Sequence, residues 1–277
     1  MGHPNFVCIG AQKAGTTWLH AMLEQHPGVY LGPFKEAQFF NHKHLPEDRK
    51  WTKWHVKMAV RKGIQAHLKQ QKVPNYAILR RWVSLMDPKT MLTDAWYSLL
   101  YSPPNAKGKA LGDITPSYCS LPPEGIEDLK RHCDTPKIIF IIRDPFDRAA
   151  SQLRMVVSRH DKGFKLRRDW ESLIDRTPIE SRGDYKTFVP RWDAAFAEDD
   201  LLYIPYGDLQ NRPRDVLARI ERHIGVSPHE YSGLSERVHS TTRVRIPGKA
   251  RRLLEARVEG QRDYLLSRFG QDFVSRT

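Results

Sequence analysis

The sequence predicts an α/β fold, a single domain with a central, mostly parallel sheet flanked by helices. Three observations predict it. Residues 137–142, KIIFII, are an unbroken apolar run of the kind found in strands buried on both faces. Strand-like runs at 5–10, 137–142 and 201–206 are each followed directly by a helical pattern. No Gly-, Pro- or Ser-rich linker divides the 277 residues, a length that one large α/β domain accommodates.

Each element has its own justification. NFVCIG at 5–10 reads as a short buried strand, and Gly15 to His26 as a helix. Leu19, Met22 and Leu23 share a face of that helix, and Pro27 ends it. VYL at 29–31 suggests a second short strand. Residues 47–102 change in character: they are rich in Trp, Lys and Arg, lack a strand pattern and are punctuated by Pro74, Pro88 and Pro103-Pro104. They read as helices and long loops, so about 45–105 is expected to be a helical insertion. Its Trp51, Trp54, Trp82, Trp96 and Tyr97 are expected mainly to pack helices onto the sheet. After KIIFII, Asp144 is a good N-cap, Pro145 suits the first helical position, and Phe146, Ala149, Ala150 and Leu153 form an apolar face. LLYIPY at 201–206 is a third long strand. Pro213 then opens a helix lined by Val216, Leu217, Ile220 and Ile224, and Gly225 closes it.

Composition bounds the function. Hydrophobic residues make up 40% of the chain, enough for a core. Lys and Arg (45) exceed Asp and Glu (32), and the net charge of +13 implies an anionic ligand, surface or polymer. No finger, homeodomain or RNA-recognition signature accompanies that charge, so nucleic acid is not the expected partner. There is no apolar run long enough to span a membrane, and the N-terminus does not read as a signal peptide. Cys8, Cys119 and Cys133 match neither a zinc ribbon nor a disulfide scaffold and are expected to be free thiols. Together these features lead us to expect a cytoplasmic protein. They do not indicate an oligomeric state.

Two loops carry the chemistry. VCIGAQKAGTTWLHAML at 7–23 runs strand, loop, helix, with four residues between Gly10 and Gly15. A triphosphate-binding loop reads G-x-x-x-x-G-K-[ST]; here Lys13 sits inside the loop and Thr16 directly follows Gly15. Amides from Lys13 to Thr17 and the Thr16 and Thr17 hydroxyls could wrap a phosphate at a helix N-terminus, with Lys13 as a mobile positive charge. The second loop follows KIIFII. A magnesium-dependent phosphoryl transferase needs an acidic residue at such a strand end, but Arg143 stands there, and Ser151 follows two turns into the helix. The two loops fit a ligand with two separate phosphates, handled without metal.

GAQKAGTTWL resembles the 5′-phosphosulfate loop of the sulfotransferase family, and IIRDPFDRAASQ resembles its 3′-phosphate segment. KEAQFF, DAWYSLLY, GDITPSY, SRGDYKTFVPRW and LLYIPYGDL extend the resemblance over most of residues 5–225, nearest in motifs to carbohydrate and heparan-type members. The resemblance implies a P-loop-like sulfotransferase fold that uses 3′-phosphoadenosine-5′-phosphosulfate as co-substrate. It places Lys13 at the 5′-phosphate and the leaving oxygen, with Ala14, Gly15, Thr16, Thr17 and Trp18 completing the cradle. Arg143 and Ser151 would hold the 3′-phosphate, and Glu36 would be the carboxylate base. Arg243 and Arg245 are offered as further 3′-phosphate or adenine contacts. Ile114 stands where heparan-type members commonly carry a lysine. The expected acceptor is a hydroxyl-bearing small molecule or glycan. Two alternatives stay open: a P-loop small-molecule kinase, and a non-catalytic basic binder of nucleotide or nucleic acid.

Overall fold

The apolar run at 137–142 is the centre of the molecule. In the computed structural model, which describes residues 2–70, 75–160, 169–235 and 244–277, it is a strand whose last five residues are fully buried. The strands are β1 Phe6–Gly10, β2 Val29–Tyr30, β3 Ala110–Ile114, β4 Lys137–Ile142 and β5 Leu201–Pro205. They form one sheet in the order β2-β3-β1-β4-β5, and every pairing is parallel. A parallel sheet needs both faces covered, which is why β1 and β4 read as continuous apolar runs rather than alternating ones.

Thirteen α-helices are present among the described residues. In chain order they are α1 Thr16–Leu23, α2 Phe39–His44, α3 Arg49–Gln70, α4 Tyr76–Ser84, α5 Asp94–Leu100, α6 Pro123–His132 and α7 Pro145–His160. Then come α8 Trp170–Arg176, α9 Tyr185–Ala195, α10 Tyr206–Asn211, α11 Pro213–Ile224, α12 Gly248–Arg257 and α13 Gln261–Ser275. The caps follow the sequence. The Asp144 carboxylate accepts from Asp147 N at 3.0 Å, and Gly225 closes α11 with φ 72°.

Two elements differ from expectation. The first helix stops at Leu23 rather than His26. The His26 ring instead serves the turn into β2: Nδ1 accepts from Gly28 N at 2.9 Å, and Nε2 lies 2.8 Å from the Ser227 carbonyl. Strand β3, ALGDI, is absent from the sequence reading because glycine and aspartate disfavour a buried strand. Both have tertiary compensation. A Cβ on Gly112 would lie 2.1 Å from Phe6 Cζ, so the missing side chain makes room for the Phe6 ring. Asp113 is buried because Thr115, Tyr97 and Tyr118 hydroxyls donate to it at 2.6, 2.9 and 3.1 Å.

The connection from β1 leads to β2 and β3 on one side of the sheet, whereas that from β4 leads to β5 on the other. The crevice at the carboxyl ends of β1 and β4 is therefore the topological switch point, where open α/β sheets bind ligands. Both anion loops open there.

The central helical stretch divides its aromatics. Trp96 and Tyr97 are core, Trp82 is half-buried, and Trp51 and Trp54 lie exposed. All three cysteines are free and buried, and burial pushes the Cys8 and Cys119 thiols up to about 12.

Candidate active site

The loop after β1 enters α1 through Gly15, whose left-handed backbone (φ 84°) suits glycine. A Cβ on Gly15 would come within 2.6 Å of Leu209 Cδ2, so the loop lies against α10. The first amides of a helix lack intrahelical acceptors; here they belong to Thr16, Thr17 and Trp18. No side chain caps them and no acidic residue occupies the first turn, so the terminus keeps its positive field for an external anion. Thr16 is nearly buried and Thr17 partly exposed. The Trp18 indole donates to the Leu234 carbonyl at 3.1 Å, so Trp18 offers the cradle its backbone rather than its ring. Ala14 is fully buried, and its N–H donates to the Ala11 carbonyl at 3.1 Å.

Lys13 also has left-handed backbone, φ 72°. Its carbonyl accepts from the Arg143 guanidinium at 2.7 Å, and its ammonium lies 3.7 Å from Met155 Sδ on α7. The two loops, 130 residues apart in sequence, are thus joined directly. The Arg143 guanidinium stacks on the Tyr206 ring at 4.5 Å, and its buried Nε has no protein partner among the described residues. Neither acidic neighbour pairs with it; Asp144 binds Arg262 at 2.6 Å instead. Ser151 is buried on α7, one turn before Met155 and on the same helix face.

Beyond Ser151, α7 borders a cleft of about 710 Å³ lined by Phe146, Arg154, Arg245, Pro247, Gly248 and Arg251. Arg245 is exposed at its edge, Arg154 donates to the Val244 carbonyl, and Arg251 stacks on Phe146 at 4.6 Å. The cleft is basic, open and beside the Arg143–Ser151 segment. Arg243 lies outside the described residues.

Glu36 sits just past β2 with φ 67°, and Gln38 with φ 57°. Such backbone in residues other than glycine costs about 1–3 kcal/mol and persists only where surroundings impose it. Those surroundings are visible. Lys35 Nζ donates to Glu36 Oε1 at 2.7 Å, Gln38 Nε2 to Oε2 at 3.2 Å, and His55 Nε2 is 3.0 Å from the Glu36 carbonyl. Gln38 is itself held by the Ser117 hydroxyl at 2.9 Å, and Phe39 N donates to the Tyr118 hydroxyl at 3.1 Å. The KEAQFF segment is therefore bolted to the residues that follow β3. Burial alone would raise the Glu36 carboxyl, but the Lys35 ammonium and its hydrogen bond outweigh it, and the pKa falls below the usual carboxylate value. His20, one turn beyond Thr16, feels both Lys35 and Glu36. Burial and Lys35 lower its pKa to about 4, against an opposing pull from Glu36.

The structure thus brings Lys13, the Gly15–Trp18 turn, Arg143 and Ser151 to one crevice, with Glu36 on its β2 side and Arg245 on its α7 side. Sequence reasoning missed Tyr206, Gln38, Ser117 and His55, which orient the others. It also missed Arg148, fully buried in α7, whose guanidinium donates to Gln152 at 2.7 Å and to the Ile179 carbonyl at 2.8 Å. The doubled arginine of RDPFDR was the available signal for it. His42 and His44 turn to Thr52 (2.8 Å) and Asp128 (2.7 Å), each a protein partner.

A sequence model of the sulfotransferase family matches residues 4–230. The chain is 26% identical over 244 residues to a bifunctional heparan sulfate N-deacetylase/N-sulfotransferase 4 of Mus musculus, an alignment covering 82% of this chain and 23% of that protein. It is also 26% identical over 176 residues to the membrane-associated sulfotransferase kil1 of Dictyostelium discoideum, covering 62% of this chain and 27% of that one. The chain spans about a quarter of the length of these curated relatives. Among solved structures it is similar to a sulfotransferase from Alicyclobacillus acidocaldarius, with TM-score 0.64 at 22% identity, covering 100% of this chain and 98% of that one. The sulfotransferase domain of the Synechococcus PCC 7002 olefin synthase gives TM-score 0.55 at 21% identity, covering 93% and 95%. At these identities the two structures establish the shared fold.

Proposed function

Because the chain belongs to the sulfotransferase family, we propose that it moves a sulfuryl group from 3′-phosphoadenosine-5′-phosphosulfate to an acceptor hydroxyl, with Glu36 as the base. The observation that carries this reading is the Arg143–Lys13 link, which sets two cationic loops side by side at the switch point of the sheet. The residues present fit the donor. A single-phosphate cradle stands at the start of α1, and the buried Arg143 Nε still has a hydrogen bond to offer.

In the reaction the acceptor oxygen bonds to sulfur in line as the bridging S–O bond breaks, the electron pair leaving on the 5′-phosphate. Lys13 and the first amides of α1 offset the charge that grows there. Arg143 and Ser151, with Arg245 at the cleft edge, anchor the 3′ end. Glu36 receives the acceptor's proton. Its depressed pKa keeps it ionised at neutral pH, and Lys35 and Gln38 fix both of its oxygens. No step calls for a metal ion. The names of the heparan sulfate relatives favour a glycan acceptor, and their N-sulfotransferase activity adds amines to the acceptors worth testing.

The test is transfer of labelled sulfuryl from the donor to a panel of alcohols, glycans and amines, with and without EDTA. Wild type is expected to label an acceptor in EDTA. Glu36→Gln should lower kcat by ~10²–10⁴-fold, and Lys13→Ala by ~10²–10³-fold. Equal turnover in either variant would remove that residue from the mechanism. Strict dependence on a divalent cation, or transfer of phosphoryl from ATP, would favour the kinase reading instead.

A further inference from the structure

The exposed large hydrophobic side chains of the described residues are Trp51, Trp54, Leu68, Tyr76, Ile78 and Val83, and all six lie on α3 and α4. On a soluble surface such residues are normally scattered singly. Here they share their two helices with an unusual charge. Helix α3, RKWTKWHVKMAVRKGIQAHLKQ, carries seven lysines and arginines in 22 residues and no Asp or Glu. Helix α4, YAILRRWVS, adds two arginines and again no acid. No α3 cation pairs with a carboxylate among the described residues, so the field is uncompensated.

The arrangement is ordered. Thr52, Val56 and Val60 point inward at i, i+4, i+8. On the opposite side Lys50, Trp54, Lys57, Arg61 and Leu68 fall on one exposed stripe, alternating charge with apolar bulk. In α4, Tyr76, Arg80 and Val83 repeat the pattern at i, i+4, i+7. The two helices are packed together: a Cβ on Gly63 would lie 2.3 Å from the Trp82 ring. That contact lies on the inner side of α3, near Val56 and Val60, so the outer stripe of α3 is not an unfilled core.

We propose that the outer face of α3 docks on the surface of a lipid bilayer that carries anionic headgroups. Cations on a helix are drawn to such a surface, and aromatic and aliphatic side chains between them enter the boundary between headgroups and acyl chains. Charge complementarity selects the occupant. A second copy presenting the same face would bring like charges together. A hydrated polyanion, whether polysaccharide or nucleic acid, would engage the cations and leave Trp54 and Leu68 in water. A bilayer satisfies both. Helix α3 also touches the KEAQFF segment through His55, so docking would bring membrane-borne molecules beside Glu36. The inference rests on the surface and not on the reading of the donor site.

The experiment is co-sedimentation of the full chain with vesicles of phosphatidylcholine alone or mixed with phosphatidylglycerol, with heparin and duplex DNA as soluble polyanions. Binding is expected to the mixed vesicles, weakening as salt rises, and not to phosphatidylcholine alone. At ~1 kcal/mol per cation near the surface, Lys57→Ala with Arg61→Ala should lower partitioning roughly 30-fold. Trp54→Ala with Leu68→Ala should lower vesicle binding several-fold and leave heparin binding unchanged. Unaltered thermal melting of these surface variants confirms that the fold is intact. Binding to heparin or DNA without vesicle binding would overturn the proposal, as would vesicle binding that ignores the loss of Trp54 and Leu68.

Discussion

Removing the Arg143 side chain separates two roles. In the free protein the guanidinium stacks on Tyr206 at 4.5 Å and donates to the Lys13 carbonyl at 2.7 Å. Stacking at a half-exposed site contributes ~0.5–2 kcal/mol, and a hydrogen bond from a charged group ~1.5–3 kcal/mol. Both groups regain water when Arg143 is truncated, so Arg143→Ala should reduce unfolding free energy by about 1–3 kcal/mol. Binding is a separate quantity. One charge-assisted hydrogen bond to a phosphate, at ~1.5–3 kcal/mol, corresponds to a Kd for adenosine 3′,5′-bisphosphate raised roughly 10- to 150-fold. The assays are urea unfolding and isothermal titration calorimetry on the same samples. Tyr206→Leu is the control: it removes the stacking and keeps the charge, so stability should fall while Kd changes less than about threefold. Arg143→Lys, which keeps charge without the planar fork, should lie between wild type and Ala. If Arg143→Ala destabilises the protein yet binds the bisphosphate as tightly as wild type, Arg143 is a structural clip and the second anion pocket lies elsewhere.

Other perturbations probe the same site and its support. Lys35→Met removes the ammonium that outweighs burial at Glu36, so the acid limb of the pH profile of kcat/KM should move to higher pH; an unmoved limb means that Glu36 is not the titrating base. His20 has a folded pKa lowered from 6.5 to about 4, so it stays neutral while the unfolded chain takes up a proton. Stability should therefore fall as pH drops from 6.5 toward 4, and His20→Phe should flatten the urea midpoint across that window relative to wild type. Asp128 behaves differently: burial opposes ionisation, but Lys43, His44 and Arg131 hold its pKa at about 2. Its contribution is present above the ordinary aspartate value of 3.8 and lost as pH falls through about 2, so Asp128→Asn should weaken the protein at neutral pH and less in strong acid. Gly112→Val drives a side chain into the Phe6 ring and should lower stability by ~1–3 kcal/mol; smaller change in unfolding midpoint would mean that β1 and β3 adjust freely.

Much of this arrangement was legible in the order of residues. Runs of apolar residues marked β1 and β4 because strands buried on both faces have no polar side to show, and a shorter run marked β5 at the sheet's edge. Asp144, Pro145, Pro213 and Gly225 marked helix ends because capping is a property of a few adjacent residues. The displaced lysine of the first loop pointed away from a triphosphate-binding loop, and Arg143 at a strand end pointed to a second anion. These are local signals, readable without knowing what lies opposite.

The rest depended on partners far away in the chain. Strand β3 hid behind glycine and aspartate, which became acceptable only once Phe6 filled the space over Gly112 and three hydroxyls surrounded Asp113. The left-handed backbone at Lys13, Glu36 and Gln38 is not a preference of those residues; packing from Arg143, His55 and Ser117 holds the segments that carry it. The fates of the tryptophans diverged for the same reason, Trp96 entering the core and Trp54 facing outward from a helix whose inner side was already filled by Thr52, Val56 and Val60. By itself the sequence determined the elements and the kind of chemistry, because backbone propensity and charge belong to single residues and their neighbours. Only the tertiary structure decided that the Lys13 and Arg143 loops touch and that Tyr206 lies beside them, because that depends on contacts between segments that chain order keeps apart.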